Sequence, residues 1–212
     1  MCWYFRDGHG LLAENGKLPI EGDNRYHAIL GNQGPAKFVS GSRLAGVLIS
    51  LGAQIRVLGP RSEEEHIFPL EHLYRTPQTD GQRENTLASN QLLTHILLPA
   101  DQGRLSAHYE VRHGAGPDDP LASASATLHV EGGLIREAKL VLGQAAPTPW
   151  LAATAAQTLI NQPLDERSAE RAADFAVAEA SPLSKNEYKV QLTRVAVKRA
   201  ILLAGGFEIG GF

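Results

Sequence analysis

The chain reads as an α+β protein in two parts, and three observations carry that reading. Residues 121-LASASATLHV-130 alternate between apolar and polar, and 131-EGG-133 turns the chain into a second apolar-rich run, 134-LIREAKLVLG-143. Three helix-length segments close the chain, over 150–161, 165–180 and 184–204. The series of short strands ahead of them breaks at 100-ADQGR-104. Strands in one block and helices in another point to an α+β arrangement. The expected division is a mixed sheet with helices over residues 1–104, then a small α/β unit over 105–212 with a sheet and a three-helix end.

Taken in order, 21-EGDNRYHAILGNQGP-35 is a polar loop bounded by Gly22, Gly31, Gly34 and Pro35. Its Asp23, Asn24, Arg25, Tyr26 and His27 offer donors and acceptors together, and the glycines let backbone approach a flat ligand closely. Two readings stand side by side, a ligand site and a structural loop. A short strand is expected at 36-AKFVS-40. Ser42 is a candidate N-cap for a helix over 43–51, with Leu44, Val47, Leu48 and Leu51 on its buried face and Gly52 at the left-handed stop. Residues 53–60 alternate like a half-buried strand. The segment 61–77 gives an acidic loop, a strand and a turn of helix, and 78–85 a solvent loop. The run 91-QLLTHILLP-99 is expected to be a buried strand.

In the later part, Ala122, Ala124, Ala126, Leu128 and Val130 share one strand face, small enough to pack closely against helices. The turn at 131–133 makes a β-hairpin. Asp165 is the N-cap candidate of the second closing helix. Ser184, with Glu187 three residues on, reads as a capping box for the third. Tyr188, Leu192, Val195, Ala196 and Leu203 fall near one face of that helix. The tail 205–212 has no helical pattern and is expected to fray or to dock on a partner.

Composition excludes several classes. The 212 residues are 43% hydrophobic and 20% charged, ordinary usage for a globular chain. With 20 basic against 23 acidic residues there is no basic field for phosphate backbones, so nucleic acid is not an expected partner. Cys2 is the single cysteine, which excludes an internal disulfide, an all-cysteine zinc site and an iron–sulfur cluster held by this chain alone. A reduced, cytoplasmic setting is expected. No apolar run approaches the roughly 18 residues of a membrane span, and the start MCWYFRDGHG has no signal-peptide pattern. Its Trp3, Tyr4 and Phe5 look like the middle of a fold, so the start reads as a truncation or split-gene start with an exposed apolar patch.

No G-x-S-x-G, H-E-x-x-H or Walker pattern occurs. His66 and His72 are too far apart for adjacent helical turns, and His108 and His113 read as surface hydrogen-bonding groups rather than metal ligands. The acidic run 63-EEE-65 reads as a solvated loop, and Asp118-Asp119 as a turn before Pro120 rather than an acid–base pair. Lys185, Lys189, Arg194, Lys198 and Arg199 form a basic stripe on the last helix. Its default reading is a solvated face, with a partner-subunit contact as the alternative.

Four stretches carry a resemblance: 2-CWYFRDG-8, 22-GDNRYHAILGNQGP-35, 44-LAGVLISLGA-53 and 139-KLVLGQAAPTPW-150, with 181-SPLSKNEYKVQLTRVAVKRAIL-202 as a closing helix. Together they resemble the FAD-binding (medium) subunit of the molybdenum hydroxylases, the xanthine, aldehyde and carbon monoxide dehydrogenase family. The resemblance implies that residues 1–104 are the second half of a FAD-binding domain and 105–212 that subunit's carboxyl-terminal domain. The amino-terminal flavin half, with its glycine-rich pyrophosphate loop, would precede Met1. It further implies electron relay through FAD from an iron–sulfur subunit to NAD, a quinone or oxygen, with molybdopterin on a third subunit.

Site positions follow from the resemblance alone. Asn24, Arg25, Tyr26 and His27 would lie on the flavin side of the domain. Arg43 stands where many relatives carry an aspartate that contacts the flavin moiety. Leu93 matches a leucine whose backbone lies near the isoalloxazine, and Glu110 stands where a lysine is often found. Some relatives hold an iron–sulfur cluster in the region of residues 2–22; with Cys2 alone it is not expected here. No residue reads as a catalytic acid, base or nucleophile. The expected protein is a flavin subunit with FAD held weakly or lost, inactive without its partners. The alternative is a flavin-free module that bridges subunits.

Overall fold

A computed structural model describes residues 22–61, 64–79, 82–100, 103–114 and 118–209. Cys2 and the aromatic cluster at residues 3–5 lie outside them. Two antiparallel sheets organise the chain, in the α+β class expected. The smaller has the order β2-β1-β3, from β1 (Gln54–Leu58), β2 (Glu65–Pro69) and β3 (Leu92–Leu97). The larger has the order β4-β5-β6-β7, from β4 (Leu105–Val111), β5 (Ala122–Glu131), β6 (Leu134–Gly143) and β7 (Trp150–Leu151). Helix α1 (Arg43–Ser50) precedes the small sheet, and a 3-10 turn (Leu70–Leu73) follows β2. Helices α2 (Ala153–Gln157), α3 (Glu166–Ala176) and α4 (Tyr188–Ala204) close the chain.

The β5–β6 hairpin forms where alternation predicts it. Gly132 and Gly133 both take positive φ, 59° and 77°, the backbone that a two-residue turn matched to strand twist requires. One face of this hairpin carries Ala124, Ala126, Leu128, Leu140 and Leu142 into a core shared with α3 and α4. The alanines of β5 lie under α4, with Ala196 and Ala200, and α3 packs on α4 with Ala169, Ala172 and Ala173 in the same core. Small side chains on both partners let helix and sheet approach closely.

The opposite face of β5, Ser123, Ser125 and Thr127, is buried too, because α1 lies across it. A Cβ on Gly46 would stand 3.4 Å from Ser125 Oγ, and Thr127 Oγ1 donates to Ser50 Oγ at 3.2 Å. This corrects the expected face of α1. Its buried residues are Ala45, Gly46, Ile49 and Ser50, whereas Leu44 is 61% exposed. The helix caps are as read: Ala45 N–H donates to Ser42 Oγ. Gly52, at φ 78°, closes a Schellman stop in which Ala53 N–H reaches Leu48 O at 2.9 Å.

Several other expectations are corrected. Residues 36–40 pair with no strand, although Ser40 N–H donates to Ala146 O at 2.8 Å. The strand at 91–99 forms as β3 but is an edge strand with Leu92, Ile96 and Leu97 exposed, not a buried one. The helix expected over 150–161 begins as the short strand β7 and keeps only five helical residues in α2. The tail is not frayed as far as Ile209. Phe207 N–H donates to Leu202 O at 3.1 Å, Gly206 N–H to Leu203 O at 2.9 Å, and Ile209 packs on the larger core. No described helix is long and apolar enough to cross a membrane.

Candidate functional site

The polar loop at 22–40 docks on the larger core rather than standing free. Ile29 and Leu30 enter that core, and both backbone N–H groups donate to Ala145 O, at 2.8 and 3.0 Å. Gly31, at φ 59°, passes so close to Trp150 that a Cβ there would lie 2.8 Å from the indole. Asn24 is fully buried: its Nδ2 donates to Ser184 Oγ and its Oδ1 accepts from Lys185 N–H, each at 2.9 Å. The expected Ser184–Glu187 capping box is therefore absent, since Ser184 is engaged by the loop and α4 begins at Tyr188. Asn186 anchors the same junction, with Nδ2 donating to His27 O at 3.1 Å and Oδ1 accepting from Leu183 N–H at 2.6 Å.

Lys189 completes the junction and corrects the reading of α4. The sequence places it in a basic stripe, solvated or facing a partner, yet it is 1% exposed. Its Nζ donates to Tyr26 O at 3.1 Å, His27 O at 3.0 Å and Gln144 O at 2.7 Å. Burial pushes the ammonium down to about 7, against the pull of those three acceptors. The buried face of α4 runs through Lys189, Thr193, Ala196, Val197, Ala200 and Ile201, which leaves Tyr188 39% exposed. Burial, with the Lys189 charge added, also holds His27 down at about 4. Arg25 and Tyr26 point outward. Arg25 donates two hydrogen bonds to Asp23, one to each carboxylate oxygen at 2.8 Å, and Tyr26 meets His113 edge-on with ring centroids 6.3 Å apart.

Beside this junction lies a cleft of 440 Å³, bounded by Tyr26, His113, Asp118, Asp119, Gln144 and Lys189, with Val39 and Leu121 among its apolar walls. Gln144 is the unusual member. It is 3% exposed, adopts a left-handed φ of 55°, and its Oε1 accepts from Ser123 Oγ at 2.8 Å. Its Nε2 is buried with no partner. A buried donor left unsatisfied costs about 1–3 kcal/mol.

A second polar cluster joins the start of α1 to β4. Arg43 grips Glu110 with two bonds of 2.7 Å, and Arg112 Nε adds a third contact at 2.9 Å. His108 hydrogen-bonds Ser125 Oγ at 2.9 Å and sits 3.4 Å from Glu110. Burial alone would raise the Glu110 carboxyl. The bonds from Arg43 and His108, with the Arg43 and Arg112 charges, outweigh it and hold the group below the usual range. Arg43 and Glu110, singled out separately in the sequence, are thus partners. Leu93 is elsewhere, paired with Val57 in the small sheet and packed on the smaller core. Among the described residues no three His, Cys, Asp or Glu side chains gather as a metal site.

Of the expected flavin-side residues, Tyr26 lines the cleft; Gln144 was not singled out in the sequence, and Lys189 lies buried rather than in a solvated stripe. Lys189 carried a usable signal, because it begins the small-residue stripe Thr193, Ala196 and Ala200 at helical spacing. Gln144 carried none, since its orphaned amide depends on neighbours distant in the chain.

The described residues form an α+β unit in which an antiparallel sheet is covered by the closing helices, with a docked polar loop and a cleft beside it. Residues 107–204 match the family CO dehydrogenase flavoprotein C-terminal domain. Among solved structures, the reconstituted CO dehydrogenase of Oligotropha carboxidovorans aligns with TM-score 0.67 and 25% identity, over 78% of this chain and 57% of that one. Quinoline 2-oxidoreductase of Pseudomonas putida 86 aligns over 95% of this chain and 65% of that one, with TM-score 0.66; its 19% identity speaks for the fold alone. No curated protein sequence matches. The chain spans under two thirds of the length of these structural relatives. Its carboxyl-terminal part is thus similar to the flavoprotein subunit of CO dehydrogenase, and its fold to those of these oxidoreductases.

FAD is the cofactor this relationship implies, and the cleft can be tested for it. The volume falls within the roughly 300–1,000 Å³ of small-molecule sites. Its apolar walls and the Tyr26 ring suit a flat ring. Its described lining residues offer no cluster of free cations for a diphosphate. The ring end fits; the phosphate end has no cradle here.

Proposed function

We propose that this chain is the flavin subunit of a molybdenum hydroxylase-type oxidoreductase and that it contacts the ring side of FAD. The observation that carries this is the match of residues 107–204 to a flavoprotein domain, in a chain with a cleft lined by Tyr26, Val39, Leu121 and Gln144. When bound, FAD supplies the redox chemistry, relaying electrons from iron–sulfur centres on a partner to an external acceptor. This chain's residues position and exclude. Tyr26 and the Val39 and Leu121 walls would flank the ring, and the Arg43–Glu110 pair would brace α1 against β4. The molybdopterin and iron–sulfur groups would sit on partner subunits in a cytoplasmic complex of the xanthine dehydrogenase type, and the chain alone would be inactive. We place the division between flavin-domain part and carboxyl-terminal domain at 104–105, a reading supported by the start of the family match at 107.

With few phosphate-binding groups near the cleft, FAD affinity of the isolated chain is expected to be weak. A second reading, a flavin-free bridging module, is favoured by the exposed Ile67 and Leu92 of the small sheet. Co-expression with the iron–sulfur and molybdenum subunits separates them. Flavin absorbance that follows the assembled complex through gel filtration supports the flavin subunit. An assembled complex with no flavin absorbance overturns it in favour of the bridge.

A further inference from the structure

The cleft is assembled from two stretches that lie apart in the chain, and one side chain is hydrogen-bonded to both. Tyr26 and Val39 come from the docked loop, whereas His113, Gln144 and Lys189 come from the part that matches the flavoprotein family. Lys189 Nζ donates to Tyr26 O at 3.1 Å and His27 O at 3.0 Å on the loop, and to Gln144 O at 2.7 Å beyond β6. Two of these three carbonyls belong to residues that line the cleft. The loop is also held by neutral groups: Asn24 is bonded to Ser184 and to Lys185 N–H, and Asn186 donates to His27 O. Docking alone can thus be served without charge, and a buried ammonium is the costlier device. What the ammonium adds is three donors on one atom and no acceptor, so that one group gathers three carbonyls from separate segments.

We propose that Lys189 is a positioning residue of the flavin site, whose ammonium ties the main chain of Tyr26 to that of Gln144 and so preforms the cleft. The inference rests on the flavin reading of that cleft and adds to it a residue that need not touch the cofactor. A preformed site binds at its intrinsic affinity, whereas a site formed only part of the time binds more weakly by the fraction formed. Loop docking and flavin binding are then linked, and each strengthens the other by the same factor. Ile29 and Leu30 report the docking, because both N–H groups donate to Ala145 O, next to Gln144.

The test uses the complex co-expressed with the iron–sulfur and molybdenum subunits, freed of flavin and dialysed to equilibrium against FAD. Lys189→Gln keeps an amide donor at the junction and is milder than Lys189→Met, which keeps none. It is expected to bind FAD about tenfold more weakly than the unmodified complex. Asn186→Ala cuts the tie from Asn186 to the loop and spares those from Lys189 to Tyr26 and Gln144. It should lower the urea midpoint, as Lys189→Gln does, yet hold FAD affinity within about twofold. In the unmodified complex, FAD should slow hydrogen exchange at Ile29 and Leu30 by about tenfold. Unchanged FAD affinity in Lys189→Gln overturns the positioning role and leaves the flavin reading standing. Equal weakening in the two variants does the same, since a lock that only stabilises the fold behaves that way. Exchange at Ile29 and Leu30 that ignores FAD overturns the link between docking and binding. No uptake of FAD by the unmodified complex overturns the flavin reading itself, and this proposal with it.

Discussion

The two sheets are made of similar apolar segments and end in opposite conditions. In the larger, β5 is buried on both faces, its alanines under α4 and its Ser123, Ser125 and Thr127 under α1. In the smaller, one face packs through Ile55 and Val57 on Ile49 and Leu70, while the other leaves Ile67 51% and Leu92 66% exposed. Both its outer strands are edges. The difference is one of cover. The larger sheet is closed by this chain's own helices, and nothing among the described residues covers the outer face of the smaller one. Exposed apolar strands of this kind associate readily. The larger unit is where the chain's own stability resides, and the smaller presents surface to something else.

The largest effect in this comparison is expected where the loop is locked to the larger unit. Lys189→Met removes a buried ammonium from three carbonyl acceptors and should destabilise by about 3 kcal/mol or more, because buried carbonyls lose their donor. Lys198→Ala, which removes an exposed pair with Glu166, should cost under about 1 kcal/mol. Urea unfolding of both variants makes the contrast, and similar midpoints would show that the Lys189 junction contributes little.

A smaller effect should appear with pH. The folded-state value for His27, about 4, lies below its ordinary 6.5. Between these values the unfolded chain binds more protons than the folded one. The contribution is thus complete above pH 6.5 and is lost as pH falls toward 4, on the order of 2 kcal/mol in all. His27→Gln should flatten that part of the stability profile, and a variant whose profile keeps its slope there would exclude His27 as the source.

The smallest effect on stability is expected on the small sheet. Leu92→Lys with Ile67→Lys replaces exposed residues and should change unfolding free energy by no more than about 0.5 kcal/mol. The same pair should reduce self-association, read by light scattering. A large loss of stability would show that this face is covered within the chain, and the contrast between the two sheets would fall.

Local signals were legible wherever the physics is local. Ser42 and Asp165 cap their helices as read, with Asp165 and Ser168 exchanging bonds, because a cap needs only neighbours three residues away. Gly52 and the 132–133 turn were legible because their positive φ excludes most other residues. The α+β class followed from the order of elements. The partnership of Arg43 with Glu110 was not legible, although both had been noticed, since 67 positions separate them.

Sequence by itself determined most of the elements, the hairpin and its glycine turn, the absence of familiar nucleophile motifs and the family resemblance. It did so because propensity, capping and alternation act within a few residues. Tertiary structure alone decided which faces are buried. Leu44 lies outside while Gly46, Ile49 and Ser50 lie inside, because that face of α1 is the one laid across β5 and β6. Ser184 serves Asn24 instead of its own helix, since a buried amide 160 positions away needed an acceptor. Lys189 is drawn inward for the same reason: three carbonyls of a docked loop and of Gln144 required a donor that no nearer residue supplies.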